Sequence, residues 1–175
     1  MVKQMCVRMI CIILLLASFP ALTYANDVKT VKVSFPIGKP YYMVGDTRYQ
    51  MDAEAYISTV SKSTMVPVRY LMDALNTAWN NGGSITSEWD GGTNSITIHL
   101  NAFTTVQFTG GDSHMIVNGV SVQMANADGQ PAVAEISGGA GHERMYIPLR
   151  ALGAAAGVPI DWDAKTRTAM FSLYQ

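Results

Sequence analysis

Cysteine is nearly missing from this chain: among 175 residues there are two, Cys6 and Cys11, both close to the start. Everything after them lacks a thiol, which excludes a disulfide framework and thiolate chemistry there. A basic excess is missing as well. Twelve Lys and Arg stand against thirteen Asp and Glu, without the cationic footprint of a nucleic-acid binder. No apolar run reaches the ~20 residues of a membrane-spanning helix. The longest, Ile10 to Phe19, follows Lys3 and Arg8 and precedes Thr23-Tyr24-Ala25, with small residues where a signal peptidase reads. Residues 1–25 are therefore predicted to be a cleaved secretory signal rather than an uncleaved anchor. Cys11 lies near the beginning of the apolar run instead of at its end, so lipid attachment is not expected. Without Lys3 and Arg8, ten basic residues face thirteen acidic ones, a formal charge of −3. About 150 residues remain, enough for an ordinary core without disulfides. The mature chain is expected outside a bacterial cell, at the cell wall or free.

What the chain does have is an internal repeat. "MVPVRYLMDAL" and "SEWDGGTNSITIHL" return as "YIPLRALGAAAG" and "IDWDAKTRTAMFSL". Trp162 follows Trp89 by 73 residues, an offset that also carries Val33 to Val106, Phe35 to Phe108 and Gln50-Met51 to Gln123-Met124. Pro148 follows Pro67 by 81. The second copy thus has eight more residues before its Pro-x-Arg and eight fewer after it, the kind of change loops absorb. The repeats are placed at 26–101 and 102–175.

Periodicity supplies the elements. Val31, Val33 and Phe35 alternate with polar residues, as a strand with one buried face requires. Hairpins follow at "YYMVGDTRYQM" and "HMIVNGVSVQM", where Asn118-Gly119 marks a two-residue turn, after which Val120, Val122 and Met124 share a face. Val68, Leu71, Met72 and Leu75 recur at helical spacing, as do Leu149, Leu152 and Ala156. Pro67 and Pro148 suit a first helical turn, where a missing N–H costs nothing, and Gly157 suits a helix end. Gly153 inside the second helix costs about 1 kcal/mol relative to Ala. A second hairpin follows each helix: Trp89-Asp90 leads to Ile96, Ile98 and Leu100, and Trp162-Asp163 leads to Ala169, Phe171 and Leu173. The fold class is α+β, two similar units, each an antiparallel sheet of about five strands wrapped around one helix.

With these motifs in order and duplicated, the chain resembles the stalk domain of secreted bacterial proteins, which is similar to the N-terminal domain of copper amine oxidases. The motifs that carry the resemblance are Val117-Asn118-Gly119, Ile147-Pro148-Leu149-Arg150, and Trp162-Asp163 with Thr166. The resemblance implies a five-stranded antiparallel sheet around a helix. It implies no activity, since in the oxidases this domain is an appendage apart from the copper and quinone chemistry. The first copy departs from the pattern: Val44-Gly45-Asp46 stands for the Asn-Gly turn, and Asn80-Asn81-Gly82-Gly83 separates helix from tryptophan.

Candidate sites read mainly as structural. Arg69 and Arg150 sit just inside helix starts, a poor place for a cation unless a carboxylate or carbonyl compensates, and are expected to fasten the helices to the sheet. Trp89 and Trp162 are expected in the core, although exposure in a cleft would make them sugar platforms. His99, His114 and His142 lack metal-ligand spacing. Asp161 and Asp163 fall short of a calcium shell, and no serine occupies a nucleophile elbow. The candidate interaction loops are Asn80, Asn81, Gly82 and Gly83, together with Gly138, Gly139, His142, Glu143 and Arg144. The favoured function is a secreted, noncatalytic stalk or adhesion module with a cell-envelope or secreted protein partner, no cofactor, no metal and no nucleic acid. An extracellular glycan- or peptide-binding module stands second, a small secreted hydrolase third.

Overall fold

The structure, a computed structural model, describes residues 29–79, 84–138 and 143–174. The expected signal segment, the loop Asn80 to Gly83, and Gly139 and His142 of the other loop lie outside these residues. The first copy runs β1 (Thr30–Pro36), β2 (Tyr41–Val44), β3 (Thr47–Gln50), β4 (Tyr56–Ile57), β5 (Thr64–Pro67), α1 (Val68–Ala78), β6 (Thr86–Asp90) and β7 (Ser95–Asn101). The second repeats the order with β8 (Thr104–Thr109), β9 (His114–Val117), β10 (Val120–Gln123), β11 (Glu135–Ser137), β12 (Arg144–Pro148), α2 (Leu149–Ala156), β13 (Asp161–Asp163) and β14 (Thr168–Tyr174).

Two five-stranded antiparallel sheets result, ordered β13-β14-β1-β2-β3 and β10-β9-β8-β7-β6, joined by a four-stranded sheet β11-β12-β5-β4. The α+β architecture with sheets of about five strands is the expected one. Less expected is that each large sheet combines both copies. The tryptophan hairpin β13-β14 completes the sheet begun by β1, β2 and β3, and β6-β7 completes that of β8, β9 and β10. The registers show the equivalence: Val33 pairs with Phe171 and Phe35 with Ala169, while Val106 pairs with Ile98 and Phe108 with Ile96. The 73-residue offset converts one set of pairs into the other. The sequence boundary at 101 and 102 falls in the tight β7–β8 turn, inside the second sheet.

In the four-stranded sheet Val66 pairs with Ile147, and the 81-residue offset equates these same two residues. A local two-fold axis therefore passes between them. Helix α1 packs on β1 and β2, α2 packs on β8, and both touch β5 and β12. One apolar cluster joins all of this, with Phe35, Phe108, Val66 and Ile147 fully buried. The predicted helical faces are buried at Val68, Leu71, Met72 and Leu75 and at Leu149 and Leu152.

Pro67 and Pro148 are the last strand residues and the N-caps of the helices, one position earlier than a first-turn placement, with φ −62° at both. The N–H of an N-cap residue takes no part in the helix's own hydrogen bonds, so its absence is tolerated there as well as in a first turn. Gly157 ends α2 at φ 68°, the left-handed cap that suits glycine. Gly153 has its own reason: a Cβ there would lie 2.7 Å from Ile160 Cγ1 and 2.7 Å from the Val158 carbonyl oxygen. Close helix-to-chain approach outweighs the propensity loss.

Candidate functional site

Each tryptophan hairpin is built around the same aspartate turn. Asp90 accepts hydrogen bonds from Gly92 N at 2.8 Å and Thr93 Oγ1 at 2.8 Å. Asp163 accepts from Lys165 N at 2.9 Å, Thr166 N at 3.3 Å and Thr166 Oγ1 at 2.7 Å. Asn94 and Arg167 complete the turns at φ 52° and 51°. The threonine hydroxyls hold the carboxyl groups of Asp90 and Asp163 below the usual carboxylate range, helped by the backbone donors. The Trp-Asp…Thr motif is thus turn chemistry, and Asp163 has both oxygens committed to it. Asn118 and Gly119 form the expected hairpin turn, at φ 50° and 83°, and Asn118 Oδ1 accepts from Thr105 N at 2.8 Å.

The residue before each turn aspartate is the tryptophan, and here the structure corrects the expectation of burial. Trp89 is 52% exposed and Trp162 41%. The reason is that β6 and β13 are the outermost strands of their sheets, so one side of each indole has no neighbouring strand to cover it. Ile160 is only half-buried. Trp79, which motif reading passed over, is also half-buried and packs against the core at the end of α1. A second correction concerns the arginines. Arg69 and Arg150 are exposed, and neither makes a hydrogen bond or ion pair with a described residue; Arg69 approaches the Tyr70 ring, 6.0 Å from its centroid, and its charge acts on Asp52. Standing at the second helical position, they make none of the expected bonds to the sheet among the described residues.

Tryptophan and arginine instead meet around two clefts. One, of about 280 Å³, is lined by Trp162, Asp161, Arg150, Ile57, Lys62 and Ser63, among others. The other, of about 270 Å³, is lined by Trp89, Arg69, Ile136, Glu143, Arg144 and Met145, among others. The two-fold axis relates them: the helix start and tryptophan of one copy face β4–β5 or β11–β12 of the other. Under the 81-residue offset Lys62 corresponds to Glu143 and Ser63 to Arg144, and the cross-strand pairs Ile57–Thr64 and Ile136–Met145 equate the two isoleucines. No ring–ring or cation–ring contact among the described residues involves either indole.

Arg144, expected in an interaction loop, opens strand β12 and is paired with Asp52. Tyr70 Oη donates to the same carboxylate at 2.6 Å. These partners, Arg144 first, hold Asp52 below its ordinary range, and burial, with Asp52 beside it, pushes the Tyr70 phenol up. Glu143 is exposed on the cleft rim; Gly138 follows β11 at φ 130°. Across the middle sheet Glu135 accepts from Tyr56 Oη and from Ser58 Oγ, with Tyr56 edge-on to Tyr146 at 4.9 Å. Burial, then the bond to Glu135, raises the Tyr56 phenol well above its ordinary value. Motif reading missed this latch and Lys62, because both depend on which strands become neighbours.

His99 lies 3.9 Å from Glu88 and His114 3.4 Å from Asp112. Among the described residues no group of three or more His, Cys, Asp or Glu could hold a metal ion, and no helix is long and apolar enough to cross a membrane. A family model described as copper amine oxidase N-terminal domain matches residues 43–171. No curated protein and no solved structure matches.

Proposed function

Because the chain belongs to the copper amine oxidase N-terminal domain family, whose reference domain is the noncatalytic part of those oxidases, we propose that it is an exported, noncatalytic adhesion module that holds a cell-envelope component in its two tryptophan-arginine clefts. One observation carries the reading: each copy leaves an indole half-exposed beside a guanidinium that makes no hydrogen bond or ion pair with a described residue. A fastening residue would be buried and bonded. An exposed aromatic rimmed by uncommitted polar groups is the composition of a binding surface. The Lys3/Arg8 start and the run to Phe19 support export, and intact Met1 on extracellular material by mass spectrometry would count against it. The binding itself is tested by retention of the mature protein on purified cell walls from its own host. A Trp89→Ala/Trp162→Ala double variant should lose retention while keeping its fold by circular dichroism. Unchanged retention by a folded double variant would refute the proposal.

A further inference from the structure

The two clefts share a scaffold but differ in charge. At the Trp162 cleft, Lys62 and Arg150 stand against Asp161. At the Trp89 cleft, Arg69 stands against Glu143, and Arg144 is already paired with Asp52. The first rim therefore carries one net positive charge and the second none, on a chain whose overall charge is negative. Lys62 makes no ion pair with a described residue, and a left-handed backbone, φ 55°, places it at the rim.

We propose that the Trp162 cleft is a subsite for an acidic polysaccharide, with a pyranose ring lying on the indole and its carboxylate met by Arg150 and Lys62. This rests on the binding role proposed above and adds the chemical class of the ligand. Three features select it. The half-exposed indole offers an apolar face with nothing stacked on it, which suits the C–H face of a sugar. Beside it are two cations against one carboxylate, neither in an ion pair with a described residue, and one of them is a planar fork matched to carboxylate. The volume, about 280 Å³, lies at or below the ~300–1,000 Å³ of pockets that enclose whole small molecules, so the cleft takes part of a longer chain.

The test titrates the mature protein with oligogalacturonate, with a neutral malto-oligosaccharide of matched length, with poly-glutamate and with phosphatidylglycerol vesicles, following tryptophan fluorescence and heat. Oligogalacturonate should bind best, and more weakly as salt is raised. Lys62→Glu, which copies the rim of the other cleft, should weaken it by about tenfold or more, as should Trp162→Ala, while Trp89→Ala leaves it unchanged. Glu143→Lys should add a second site, doubling the stoichiometry. Equal binding of the neutral sugar, poly-glutamate or vesicle binding that ignores Trp162→Ala, or no binding of the acidic sugar would each overturn the inference. Oligogalacturonate binding that persists through Lys62→Glu would overturn it while leaving the adhesion reading intact; loss of wall retention in no Trp variant would remove that reading instead.

Discussion

Placed side by side through the two-fold axis, the two copies differ little where they pack and much where they face water. Phe35 and Phe108 occupy equivalent buried positions, and Asp90 and Asp163 make the same turn. Yet Lys62 faces one cleft where Glu143 faces the other, and α1 has eleven residues against eight in α2. The edge strands differ too: β3 carries Arg48 stacked over Tyr41 at 4.1 Å, whereas β10 reads Val-Ser-Val-Gln with every residue exposed. A core position is constrained from all sides by packing, while a rim position is constrained only by what it must touch. Divergence at the rims is thus where a difference in role is to be sought.

The largest effect should come from what the copies share. Phe35→Ala and Phe108→Ala should each cost about 3–5 kcal/mol. Each should lower one calorimetric transition, because both large sheets contain strands from both copies; two resolved transitions, only one of them shifted, would break the comparison. Next comes a position where the copies differ. Met72 in α1 is matched by Gly153 in α2, and Gly153→Ala should destabilise by about 1–3 kcal/mol despite a better helix propensity, as chemical denaturation would measure. A gain in stability would show that Ile160 can yield.

Trp89→Ala and Trp162→Ala should cost less than a buried aromatic, about 1–2 kcal/mol each, since part of each indole already meets water. Acid should then reveal the twin turns. The carboxyl groups of Asp90 and Asp163 sit below their ordinary value when folded, so their contribution is present above that value and is lost as pH falls through the lowered one. Melting temperatures of the parent and of Asp90→Asn or Asp163→Asn should differ at neutral pH and converge below about pH 4. A difference independent of pH would assign the turn's stability to something other than the charge. The smallest effect is expected at Arg69→Ala and Arg150→Ala, within about 0.5 kcal/mol in denaturant titrations; a larger loss would restore the fastening role.

Much of the fold was legible in the residues. The alternation around Val33, Phe35, Val106 and Phe108, the helical faces behind each Pro-x-Arg, the Asn118-Gly119 turn and the Gly157 cap all stand as read. These are local signals, set by side-chain period and backbone preference. What the sequence did not disclose is non-local. Alternation tells which face of a strand is buried and not which strand lies beside it, so the exchange of tryptophan hairpins between copies was hidden. The misjudged tryptophans follow from that: without knowing that β6 and β13 are sheet edges, an indole in an alternating strand reads as core. Lys62 enters the cleft only because β5 pairs with β12.

The pairing of β1 with β14 carries a mechanical consequence. Thr30 is matched with Tyr174 and Pro36 with Thr168, so the chain enters and leaves at the same end of one ladder, in the interior of its sheet. Tension applied between Thr30 and Tyr174 would load the rungs one after another, as in opening a zipper, rather than all together in shear. Tethered through both of these strand ends, the chain would yield at low force, because only one rung at a time resists the pull.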